Sequence, residues 1–255
     1  MSHHHRTDAR GLGTTRRAGT WAGMACAAVV GFACTEHAAG ALLELEPAEA
    51  AMVQKGTSSP GGTASDVVRV KNAGTDQRTR KSWLKYDIAA LDFEAASGSS
   101  VEFELTSFNN TNRDGNTFEF ELFGMTDEGL DDWTSATITW DNAPGNDMQD
   151  GREASGPGVD PALTTSLGTF SVVQDGTGNH GSFTISGQAL ADFINGATND
   201  ELTMILISNS DEGAPGPEID FDSSPTLTVI PEPASLALLG AGGLLLLRRR
   251  AHDRR

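Results

Sequence analysis

Apolar and polar side chains alternate in nine short runs between residues 67 and 230: VVRVK at 67–71, SWLKYDI at 82–88, SVEFELTSF at 100–108, TFEFELFGM at 117–125, ATITW at 136–140, LGTFSVV at 167–173, GSFTI at 181–185, ELTMILISN at 201–209 and PTLTVI at 225–230. A period of two sends successive side chains to opposite faces of an extended backbone, so each run predicts a strand. The separators, among them NNTNRDGN and NAPGNDMQDG, are Gly, Asn, Asp and Pro clusters with turn chemistry. One stretch breaks the rhythm. In SGQALADFING at 186–196, Leu190, Phe193 and Ile194 fall on one helical face, with Ser186 as cap and Gly196 as stop, which predicts a single short helix. Strands in series without alternating helices predict an all-β fold, an antiparallel jelly-roll-like β-sandwich with that helix at its edge.

The chain of 255 residues suffices for one such sandwich with a substantial core. Its formal charge of −17 understates the acidity of the middle, because arginines gather at both ends. Residues 42–230 hold nine basic and 31 acidic side chains, a surface that repels phosphate and excludes nucleic acid as a partner. Divalent cations and basic partners remain compatible with it. Both cysteines, Cys26 and Cys34, sit in the apolar stretch WAGMACAAVVGFAC. If that stretch is a leader, the mature protein has no disulfide and no thiol chemistry.

The two ends read as addresses. Arg6, Arg10, Arg16 and Arg17, an apolar stretch and then Ala38-Ala39-Gly40-Ala41 have the order of a secretory signal peptide, assigned to residues 1–40 with cleavage after Gly40. General secretion suits the sequence after Arg17 better than the twin-arginine route. At the other end, Pro231-Glu232-Pro233 blocks helix propagation, an apolar segment of 14 residues runs from Ala234 to Leu247, and Arg248-Arg249-Arg250 follows. The segment is shorter than the roughly 20 residues that span a bilayer comfortably. Residues 229–250 resemble the PEP-CTERM sorting signal, and 251–255 form a basic end expected on the cytoplasmic side. The resemblance implies transient inner-membrane anchoring, removal of the tail by an exosortase, and delivery to the cell surface or exopolysaccharide of a Gram-negative-type bacterium. Its sorting residues would be Pro231, Glu232, Pro233, Arg248, Arg249 and Arg250.

A second resemblance covers residues 42–230. Trp83 to Ile88 (WLKYDI), the strand at Val101 to Leu105, and WTSATITWDNAP from Trp133 to Pro144 resemble the DNRLRE family of secreted bacterial domains, related to carbohydrate-binding modules. The sequence departs from that family's pattern at Lys85, where arginine is usual, and at Asp141-Asn142, where a single asparagine is usual. The resemblance implies a sandwich that binds polysaccharide.

Candidate chemistry is sparse. Trp133 and Trp83 are the candidate sugar-stacking residues, since indole faces pack on pyranose rings; both also fit structural positions, Trp83 within an alternating strand and Trp133 just ahead of one. Asp127 to Asp132 (DEGLDD) offers oxygen ligands without the Asp-x-Asp-x-Asp-Gly order of a calcium loop, and a solvated turn is the competing assignment. Glu218, Asp220 and Asp222 share one face of an extended segment, where three carboxylates repel unless screened or ion-bound; they are the candidate Ca²⁺ ligands. Asp87 is expected to anchor a turn. No GxSxG, HExxH or phosphate-binding glycine loop is present, and no catalytic residue is assigned. The expectation is therefore a non-catalytic exported envelope or matrix protein that associates with polysaccharide. A self-associating adhesive module and a polysaccharide hydrolase or lyase are the alternatives.

Overall fold

The computed structural model describes residues 42–56, 67–72, 79–108, 115–148, 158–174, 181–210, 219–222 and 224–232. The expected leader, Glu218, Pro233, the apolar segment 234–247 and Arg248 to Arg250 lie outside these. Among the described residues no helix is long and apolar enough to cross a membrane.

The alternating runs become an all-β sandwich of two antiparallel sheets. Eleven strands are present among the described residues: β1 (Leu43–Leu45), β2 (Glu49–Gln54), β3 (Val67–Val70), β4 (Arg80–Asp87), β5 (Ser100–Phe108), β6 (Thr117–Met125), β7 (Thr164–Val173), β8 (Ser182–Ser186), β9 (Glu201–Ser208), β10 (Ile219–Asp222) and β11 (Thr226–Val229), with one α-helix, α1 (Gln188–Gly196). One sheet has the order β2-β4-β9-β6-β7. The other runs β1-β11-β5-β10-β3, with β8 also paired to β5. In it β8 lies along one edge of β5, and β10 and β11 follow one another along the other.

Alternation decides what lies between the sheets. Leu84 and Tyr86 of β4, Phe118, Phe120 and Leu122 of β6, and Met204 and Leu206 of β9 meet Val101, Phe103, Leu105, Phe221 and Leu227 of the opposing sheet in one buried cluster. Phe170 stacks on Phe103, Phe120 and Phe183 at centroid separations of 5.6, 5.1 and 5.5 Å, and Phe221 meets three of these rings edge-on. Such pairs add about 0.5–1.5 kcal/mol each beyond area burial. The core holds a single phenol, Tyr86, whose hydroxyl donates to Pro225 O at 2.8 Å.

The other face of the five-stranded sheet is buried too. Ala51, Val53, Trp83, Phe123, Ile205 and Ile207 point away from the first core and pack against Trp133, Ile138, Trp140, Ala143 and Val159. These last five belong to the long β6–β7 connection, whose described residues therefore lie over the sheet as a cover. A buried lysine holds it down. Lys81 is 0% exposed, donates to Asn146 Oδ1 at 2.8 Å and to the carbonyl of Gly158, and sits 4.5 Å from the centroid of Trp140. Asp87 anchors a turn by accepting from Ala89 N at 2.9 Å, as expected.

Three expectations are corrected. ATITW at 136–140 is not a strand. Its backbone bonds are local, from Thr137 N and Ile138 N to Thr134 O, and Asn142 takes the Thr139 N–H and hydroxyl with its side chain, so turns replace the ladder. Ser186 does not cap α1. It ends β8, and the cap position is Gly187 at φ 133°, with no side-chain bond. The strands β1, β2 and β10 are additional to the nine predicted runs. The helix itself is where the pattern put it, with Leu190, Ala191 and Ile194 buried.

Candidate functional site

The ring faces expected to stack on sugar are not open. Trp83 is 0% and Trp133 6% exposed, and both indole N–H groups are used internally, Trp83 Nε1 donating to Pro144 O and Trp133 Nε1 to Thr203 Oγ1, each at 2.9 Å. Both rings belong to the seam between the sheet and its cover, so neither offers a face to a ligand while the cover is down.

The carboxylates expected to hold Ca²⁺ are differently placed. Phe221 points into the core and leaves Asp220 and Asp222 on the outer side of β10, as the alternation requires. Asp220, however, opposes Arg69 in the β3–β10 ladder and accepts its guanidinium in a two-pronged pair, Nε to Oδ1 at 2.5 Å and Nη2 to Oδ2 at 2.8 Å, with Ser107 Oγ donating to Oδ2 at 3.2 Å. Asp222 Oδ1 accepts from Ser224 N at 2.8 Å. The repulsion that argued for a cation is relieved by Arg69, which lies 151 positions away in sequence. Among the described residues no group of three or more His, Cys, Asp or Glu is arranged to hold a metal ion.

The acidic run 127–132 folds inward on itself. Asp127 caps a 3-10 turn at Glu128–Leu130 by accepting from Gly129 N. Glu128 reaches the loop after α1 and accepts from Thr198 N at 2.5 Å and from the Thr198 hydroxyl; these bonds hold its carboxyl below the usual Glu range. Asp131 is 4% exposed. Burial pushes its carboxyl above the usual Asp range, opposed by Thr203 and Asn199. Asn199 Nδ2 donates to Oδ2 at 3.3 Å, and Oδ1 is buried with no hydrogen-bond partner.

These groups border a cleft of about 450 Å³ between the end of β6, the 3-10 turn, α1 and the start of β9. Its lining combines the carboxylates Glu128, Asp131, Asp192 and Glu201 with Met125, Phe193 and Leu202. Lys85 lies behind Glu201, its Nζ 3.5 Å from Oε2 and 5.2 Å from the Trp133 ring centroid. The volume suits a small ligand or a short stretch of polymer. Asp192 and Glu201 were not singled out from sequence. The one local signal was Phe193 on the predicted helix, since nothing in a single strand shows which helix it will face.

Of the residues expected to form a sorting signal, Pro231 and Glu232 are described. Pro231 bridges to Ala95, Ala96 N donates to Ile230 O at 2.7 Å, and Glu232 N donates to Glu94 O at 3.0 Å. Ala95 is tied in turn to Asn195 of α1 by two hydrogen bonds of 2.7 and 3.0 Å.

Residues 41–154 match carbohydrate-binding module family 96. The matched segment is under half of the chain; it spans β1 to β6, Trp83, Trp133 and Trp140, and the 3-10 turn, and it stops before α1 and β9. No curated protein matches the chain. Among solved structures, the chain is similar to "SGBP-B from a complex xyloglucan utilization locus in Bacteroides uniformis", at 14% identity and a TM-score of 0.24, over 71% of this chain and 45% of that one.

Proposed function

We propose that this chain is a non-catalytic, exported protein whose sandwich binds polysaccharide, and that the cleft beside α1 is the binding site. The observation that carries the reading is the match of residues 41–154 to a carbohydrate-binding module family. The cleft supports it by pairing hydrogen-bonding carboxylates with an apolar wall, the two kinds of contact that a sugar ring needs. The test is affinity electrophoresis of the purified full chain in gels containing neutral or acidic polysaccharides, with and without Ca²⁺. Retardation by at least one glycan is expected. Migration unchanged by every polysaccharide refutes binding, and release of reducing ends during incubation refutes the non-catalytic assignment.

The same proposal includes delivery to the cell surface or matrix through exosortase processing of the tail, supported by Pro231-Glu232-Pro233, the apolar segment and Arg248 to Arg250. Fractionation of cells in which the Pro-Glu-Pro is replaced by three alanines should find the protein retained in the inner membrane. Unchanged surface delivery sinks the tail's role.

A further inference from the structure

We propose that Pro231 and Glu232 belong to the folded sandwich as a clasp on α1, and that processing of the tail therefore cuts on the C-terminal side of Glu232. The place of the cut rests on the sorting reading above; the clasp stands without it.

The chain stays attached for three residues beyond β11. Ile230 N donates to Ser99 Oγ at 3.0 Å, Ala96 N donates to Ile230 O at 2.7 Å, Pro231 bridges to Ala95, and Glu232 N donates to Glu94 O at 3.0 Å. In an antiparallel bridge of this register the flanking residues exchange the bonds, and the central residue's own N–H and C=O point away from the partner. Ala95 is that residue, it is 0% exposed, and Asn195 of α1 meets both of its groups: Ala95 N donates to Asn195 Oδ1 at 2.7 Å and Asn195 Nδ2 donates to Ala95 O at 3.0 Å. Residues 94–96 thus form a strap between 230–232 and the last turn of α1, the helix that lends Asp192, Phe193 and Gly196 to the cleft. A cut within 229–232 needs an extended segment whose backbone groups are already engaged, so the segment would first have to peel away. The Glu232–Pro233 bond is the first whose cleavage leaves every one of these contacts in place. There or further on, the carbonyl at the new C-terminus passes to water or to an acceptor amine, and the tail departs with a new amino terminus.

The experiment has two arms. Hydrogen exchange on the purified full chain, referred to the amides of β9, compares wild type with Glu232→Pro, which deletes the N–H given to Glu94 O, Glu232→Ala, which keeps it, and Asn195→Ala, which removes both bonds to Ala95. Exchange about tenfold faster is expected at Ala95 N in Glu232→Pro and at Glu232 N in Asn195→Ala, with Glu232→Ala like wild type. Unaltered exchange at Ala95 N in Glu232→Pro overturns the clasp, and so does an equal acceleration in Glu232→Ala, which would assign the effect to the side chain. The second arm is the mass of the C-terminal peptide from protein delivered to the cell surface, expected to contain Pro231-Glu232. A C-terminus at or before Pro231 overturns the placement of the cut and leaves sorting intact. Surface protein that keeps its whole tail refutes the sorting reading and the cut with it, while the exchange arm still decides the clasp.

Discussion

Replacing Lys81 by methionine tests whether the β6–β7 cover is clamped by one buried ammonium. Methionine keeps an unbranched stem of similar length, so the change isolates the charge. It strands Asn146 Oδ1 and the Gly158 carbonyl, which Lys81 now serves from a 0% exposed position. Each stranded acceptor costs about 1–3 kcal/mol. Loss of the ammonium 4.5 Å from the Trp140 centroid costs about 2 kcal/mol more in a desolvated setting. Against this, removing a buried charge returns several kcal/mol of desolvation. The net expectation is destabilisation of about 3 kcal/mol, large for a single substitution. Three of the chain's four tryptophans, Trp83, Trp133 and Trp140, lie in the cluster under the cover, so urea unfolding followed by tryptophan fluorescence reads this region directly. Limited proteolysis should find faster cutting within 126–163. A variant within about 0.5 kcal/mol of wild type, with unchanged protease resistance, refutes the clamp.

Three further outcomes follow from the packing. Tyr86 is the only tyrosine in the chain, and burial raises its phenol far above the ordinary value. A raised folded-state value means the stabilisation is complete below about pH 10 and is lost as pH climbs beyond it, so tyrosinate absorbance should appear only together with alkaline unfolding; titration ahead of unfolding contradicts the burial. Gly124→Ala places a Cβ 2.6 Å from the Phe193 ring, which should cost about 1–3 kcal/mol in thermal unfolding, and a neutral change shows that the ring can swing aside. Asp131→Asn should raise stability increasingly as pH rises from about 4 towards neutrality, because the carboxyl it replaces is pushed upward by burial; denaturation curves that keep the wild-type pH dependence exclude this.

The bounds of β5 and β6 are those of the runs at 100–108 and 117–125, where polar residues such as Glu102, Glu104 and Glu119 alternate with buried valine, phenylalanine and leucine. β1 and β2 escaped because LEL is three residues long and EAAMVQ carries little apolar volume. ATITW misled because Ile138 and Trp140 are indeed buried, but by turns that lower them onto a sheet rather than by a strand within it. The second core had a signal in the uninterrupted MILI of β9, since a strand covered on both faces need not alternate. The cleft was legible only in separate pieces, the acidic run at 127–132 and Phe193 on the predicted helix: Glu128 and Asp131 come from one connection and Asp192 and Glu201 from another segment some sixty residues on, and their juxtaposition exists only after the sheet pairs.

The pairing of β1 with β11 places Leu43 opposite Val229 and Leu45 opposite Leu227. The sandwich therefore begins and ends at one point, like a bag closed by a single drawstring. Traction applied between its two ends would open that short ladder bond by bond, as a zipper.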